Sequence, residues 1–189
     1  MVDRCFLFLV NYARMKPDMA QNSLPILISV LVQSPGHSWI KANYLMQDMD
    51  DPNPLVRALA LRTMSYIHVR EFVEATVQPL RLLLRDNDPY VRKTAAFCVA
   101  KLYDHDRVLV EKGDLVESLN SLLNDDNPTV VASALAALMD IWERNENIKL
   151  TIDRTNASKI IQILPDCSEY VQLIPLRECL YELQVLFAY

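Results

Sequence analysis

Residues 88–99 read Asp88-Pro89-Tyr90-Val91-Arg92-Lys93-Thr94-Ala95-Ala96-Phe97-Cys98-Val99. The same plan stands 35 residues earlier as Asn53-Pro54-Leu55-Val56-Arg57-Ala58-Leu59-Ala60-Leu61-Arg62-Thr63-Met64. It stands 39 residues later as Asn127-Pro128-Thr129-Val130-Val131-Ala132-Ser133-Ala134-Leu135-Ala136-Ala137-Leu138. A fainter copy begins at Ser168-Glu169-Tyr170-Val171. Each full copy opens on Asn or Asp followed by Pro. The Asx side chain accepts from an orphan N–H of a helix's first turn. Proline at the next position loses nothing, because its missing N–H would have no partner there. The pair Asn53-Pro54, Asp88-Pro89 or Asn127-Pro128 therefore starts one helix and ends the one before it.

Behind each cap the apolar residues recur at helical spacing. They are Val56, Leu59, Ala60, Met64 and Ile67 in the first copy, and Val91, Ala95, Cys98, Val99 and Leu102 in the second. In the third they are Val130, Ala134, Leu135, Leu138 and Ile141. Frequent alanines, among them Ala58, Ala95, Ala96 and Ala134, let neighbouring helices come close. Shorter amphipathic segments lie between: Pro79 to Arg85, Leu115 to Leu123 and Ile160 to Leu164. The unit is thus a helix pair of roughly 35 to 41 residues, the period of HEAT and armadillo repeats. One pair cannot bury its stripe alone, whereas stacked pairs share a core. The expected fold is all-α, a right-handed solenoid, with repeats at roughly 50–85, 86–124, 125–165 and 166–189.

Arg57 and Arg92 occupy the same slot, three residues after the proline, and Val131 replaces them in the third copy. A repeat-stacking role is expected, each guanidinium binding carboxylates or helix-end carbonyls of an adjoining repeat.

Composition excludes much else. Only 2 of the 189 residues are glycine, Gly36 and Gly113, where average usage near 7% would give about a dozen. No Walker loop, dinucleotide fingerprint or nucleophile elbow is possible without clustered glycines. Hydrophobic residues make up 51% and the net charge is −5, which supports a packed core and argues against nucleic acid as a partner. Cys5, Cys98, Cys167 and Cys179 form no C-x-x-C pair and no zinc spacing with histidine, so reduced thiols and no metal are expected. Asn156-Ala157-Ser158 is a formal glycosylation sequon, read as coincidence. The apolar run Cys5 to Val10 is too short for a signal peptide. Leu24 to Val32 falls short of the about 20 residues that span a bilayer. No catalytic constellation stands out and no cofactor is expected. Asp104-His105-Asp106 reads as a solvated loop, Cys98 as a buried small hydrophobe. Trp39 and Trp142 suit core packing or a partner equally.

The strings Asp50 to Met64, Pro79 to Tyr103 and Asn127 to Leu138 resemble the β subunit (β-adaptin) of clathrin adaptor complexes. So do Asp166 to Tyr170 and, near the start, Asn11-Tyr12-Ala13 with Pro17-Asp18-Met19-Ala20. The resemblance implies a partial adaptin trunk over 1–189. Such a trunk is a non-enzymatic scaffold in vesicle-mediated intracellular protein transport. Its implied partners are a second large adaptin with medium and small chains, and it meets the membrane peripherally through the assembled complex. It implies a cytoplasmic place on Golgi, endosomal or plasma-membrane coats, with clathrin bound through a hinge that these residues do not include. The alternative is another helical-repeat scaffold, such as a nuclear-transport receptor or a phosphatase scaffold. Residues 21–48 depart from the family, being longer by roughly a helix and a loop, and suggest a spliced-in or mis-spliced segment between Leu24 and about Asn43. Residues 173–189 follow it only loosely. Both ends are apolar where solenoids carry polar caps, so self-association or poor solubility is expected of the isolated chain.

Overall fold

The computed structural model describes residues 15, 45–67, 69–145, 148, 151 and 154–163. Most of the 21–48 interval, the 166–189 repeat, Trp39, Gly36, Cys5, Cys167 and Cys179 lie outside the described residues. Among those described, the regular structure is entirely helical. The helices are α1 Pro54–Met64, α2 Arg70–Leu83, α3 Pro89–His105, α4 Arg107–Lys112, α5 Leu115–Leu122, α6 Pro128–Arg144 and α7 Arg154–Ile163. The molecule is a helical solenoid of the HEAT/armadillo type.

The three Asx-Pro pairs open α1, α3 and α6. Asn53, Asp88 and Asn127 sit in extended backbone, and their side-chain oxygens accept from the N–H groups of Leu55, Tyr90 and Thr129. Proline follows at the first helical position each time. These three helices stack in one layer, with α3 packed against α1 on one side and α6 on the other. Every stripe residue named above is buried, none more than 4% exposed. Ile67 lies in the turn after α1 rather than within it. Ala58, Ala95, Ala96 and Ala134 are wholly buried between the stacked helices. A longer side chain there would overpack the contact, at a cost of about 1–3 kcal/mol.

The second layer differs from the simple pair. α2 runs unbroken from Arg70, with Pro79 inside it rather than at its start. An interior proline removes one backbone bond, and the helix tolerates this because Phe72, Val73, Val77, Leu80 and Leu83 are buried against the core. The next repeat divides the matching stretch into α4 and α5. Asp106 caps α4 through the Leu109 N–H, so α3 runs through His105 and no long polar loop follows it. Gly113 and Asp114 then break the chain before α5. Asp114 takes the left-handed conformation, φ 54°, which Asp tolerates better than most residues. Gly113 is needed for space instead: a Cβ there would lie 2.9 Å from the Leu109 carbonyl oxygen and 3.1 Å from Val77 Cγ1.

Candidate functional site: the inter-repeat arginine joints

Each repeat arginine reaches in two directions. Arg57 Nε and Nη2 donate to Asp86 Oδ2 and Oδ1, both at 2.8 Å, across to the start of the next repeat. Its Nη1 donates to the carbonyls of Asp51 at 2.8 Å and Pro52 at 3.1 Å, just ahead of its own cap. Arg92 repeats the pattern one unit on. Its Nε and Nη2 meet Asp125 at 2.7 and 2.9 Å, and its Nη1 meets the carbonyls of Asp86 and Asn87. The aspartates are equivalent too. Each lies two residues before a cap and accepts the cap residue's own N–H: Asp51 from Asn53, Asp86 from Asp88, Asp125 from Asn127.

Each fork therefore ties a loop, a cap and the following repeat into one network. The side chains are 16% and 10% exposed for Arg57 and Asp86, and 17% and 9% for Arg92 and Asp125. Bidentate geometry of this kind suits Arg and not Lys. Burial alone would raise both carboxyls. The guanidinium and backbone N–H bonds, together with nearby positive charge, outweigh it and hold Asp86 and Asp125 below the ordinary carboxylate range. Donating to these carboxylates likewise raises the Arg57 and Arg92 pKa values further.

The third copy holds the loop ahead of its cap otherwise. Val131 is buried and has nothing to donate. Lys159, from α7, donates to the carbonyls of Asn124 at 2.9 Å and Asp125 at 3.1 Å, with Asp126 Oδ1 at 3.5 Å. The loop is thus held by Arg92 from one repeat and Lys159 from another. Sequence reading placed the arginines but not Asp86, Asp125 or Lys159. The recurrence of Asp two residues before each cap was the available signal.

The remaining described candidates lie in or against the helical core or at a helix end. Burial pushes the Cys98 thiol up to about 11, and its Sγ lies 3.8 Å from the Leu61 carbonyl oxygen. Such a thiol is inert at neutral pH. His105 ends α3, with Nε2 3.3 Å from the Ser65 carbonyl oxygen. Trp142 packs against the core. The sequon's Asn156 is 1% exposed and donates to the Thr151 carbonyl. Among the described residues no group of His, Cys, Asp or Glu is placed to hold a metal. No described helix is long and apolar enough to cross a membrane.

Residues 55–180 match the family described as Cnd1, non-SMC mitotic condensation complex subunit 1. The AP-1 complex subunit beta-1 of Homo sapiens is 42% identical over 176 residues, covering 93% of this chain and 16% of that protein. The AP-1 complex subunit beta of Dictyostelium discoideum is 42% identical over 177 residues, 93% of this chain and 17% of that protein. The AP-2 complex subunit beta of Schizosaccharomyces pombe is 37% identical over 169 residues, 89% and 22%. The chain belongs to this helical-repeat family, as a β-adaptin-type member. It spans about a fifth of the length of the curated relatives it matches. In this β-adaptin-type chain the arginine joints lie inside the matched stretch.

Proposed function

We propose that the chain is a scaffold segment of an adaptor-complex β subunit, acting in vesicle coats through subunit–subunit contacts and without catalysis. The observation that carries this reading is similarity along 89–93% of the chain to proteins named as AP-1 and AP-2 β subunits. The joints support it, because they lock successive repeats into one register and leave the outer faces for partners. Those partners are a second large adaptin and the medium and small chains. The assembled complex brings the segment to cytoplasmic coat surfaces at Golgi, endosomal or plasma membranes. Repeat caps Asn53-Pro54, Asp88-Pro89 and Asn127-Pro128 set helix starts in this scaffold, and Arg57 and Arg92 set the stacking.

The test is co-expression of the chain with the medium, small and second large adaptor subunits, followed by affinity capture. The matching piece of human AP-1 complex subunit beta-1 serves as reference. Stoichiometric capture by both chains supports the proposal. Capture by the reference alone, with this chain folded by circular dichroism, overturns it.

A further inference from the structure

A second row of contacts crosses the repeats in the other layer. Arg81, on α2, donates from Nη2 to the Gly113 carbonyl at 2.5 Å. Asn120, on α5, accepts the Thr151 N–H on Oδ1 at 2.8 Å. The two residues hold one slot, since Arg81 stands five positions before Asp86 and Asn120 five before Asp125. Their reaches match, at 32 and 31 positions along the chain. Each ends on backbone just ahead of the next repeat's last helix, α5 in one case and α7 in the other. In the third copy Ile161 holds the slot, as Val131 holds the arginine slot, so both slots turn apolar in the same repeat.

The turn that Arg81 reaches is the one where Asp114 is left-handed and Gly113 leaves no room for a side chain. Asp114 Oδ2 stands 3.9 Å from Nη2 and its side chain is 66% exposed, so the ion pair adds little. Arg81 Nε is buried with no acceptor among the described residues. The bond to the Gly113 backbone therefore carries the contact. Asn120 is oriented by its own helix, donating from Nδ2 to the Val116 carbonyl at 3.2 Å.

We infer that Arg81 and Asn120 act as stops that fix the curvature of the solenoid. An arginine fork in the first layer, taken alone, is a pivot about which two repeats can rock. A tie in the second layer, whose helix axes stand about 8–10 Å away, blocks that rocking. The two rows together set how far successive repeats splay. The inference does not rest on the adaptor assignment.

The experiment is amide hydrogen exchange on the full 189-residue chain, read by mass spectrometry and paired with small-angle scattering. Arg81→Ala is expected to speed exchange about tenfold over residues 113–119 and to leave 89–105 unchanged. Arg81→Lys, which keeps a donor for the Gly113 carbonyl, restores most of the protection. Asn120→Leu speeds exchange around Thr151 about threefold, whereas Asn120→Asp, which keeps the acceptor, does not. Arg85→Ala removes an equal charge from an exposed position just past α2 and leaves both segments as they were. The double variant Arg81→Ala, Asn120→Leu shows a shifted radius of gyration with helical circular dichroism unchanged. Exchange that stays the same or rises evenly along the chain overturns the proposal. So does local opening with an unshifted radius of gyration, which is what a merely stabilising contact would give.

Discussion

The first two repeats and the third hold the loop ahead of their caps with different chemistry. At Arg57 and Arg92 a planar fork binds one carboxylate twice and two carbonyls besides. At the third, Val131 is packed dry and Lys159 reaches the loop carbonyls on a flexible stem. Ion pairs with little exposure do not add much net stability over apolar packing of similar volume. What the fork adds is direction. Two parallel N–H···O bonds admit one relative placement of the repeats, whereas a valine contact and an ammonium admit several.

The sharpest way to break the contrast is Arg92→Ala. It leaves Asp125 with little exposure and without its countercharge, and strips the carbonyls of Asp86 and Asn87. A loss of about 2–4 kcal/mol is expected in urea denaturation. Arg92→Val combined with Asp125→Asn gives that repeat the valine of the third copy. Asn keeps an acceptor for the Asn127 N–H and removes the stranded charge, so only about 1–2 kcal/mol should be lost. A double variant as costly as the single would show that the fork supplies strength and not mainly register.

Acid separates the joints next. Asp86 and Asp125 have folded pKa values lowered below their unfolded ones. Their contribution is present above the ordinary carboxylate range and is lost as pH falls through the lowered folded values, below about pH 4. Amide hydrogen exchange followed downward in pH should open the Arg57 and Arg92 joints, while the Lys159–carbonyl bonds hold. The smallest effect is expected from Lys159→Ala. Its side chain is 41% exposed, so thermal melting should report under about 1 kcal/mol.

The legible part of this fold was the part that recurs. Asx-Pro at three places names three helix starts, and the stripes behind them name the core, because both follow from contacts within one or two turns. The partners of the arginines were not legible in the same way. Arg57 finds Asp86 29 positions on and Arg92 finds Asp125 33 positions on, and the recurrence of Asp two residues before each cap marks the position without naming its distant partner. α4 was hidden for a related reason. Asp106 follows His105 with no proline to announce a start, and one capping bond to Leu109 decides it. Pro79 misled in the opposite sense, reading as a beginning where tertiary burial carries α2 straight through it.

A stack whose repeats touch only their neighbours behaves as a spring whose stiffness is set turn by turn. Both described inter-repeat turns are clamped by rigid forks, and the second also carries Lys159, a flexible stem of four carbons. Load applied along the axis would not spread evenly. Bending would collect between the clamped turns rather than at them.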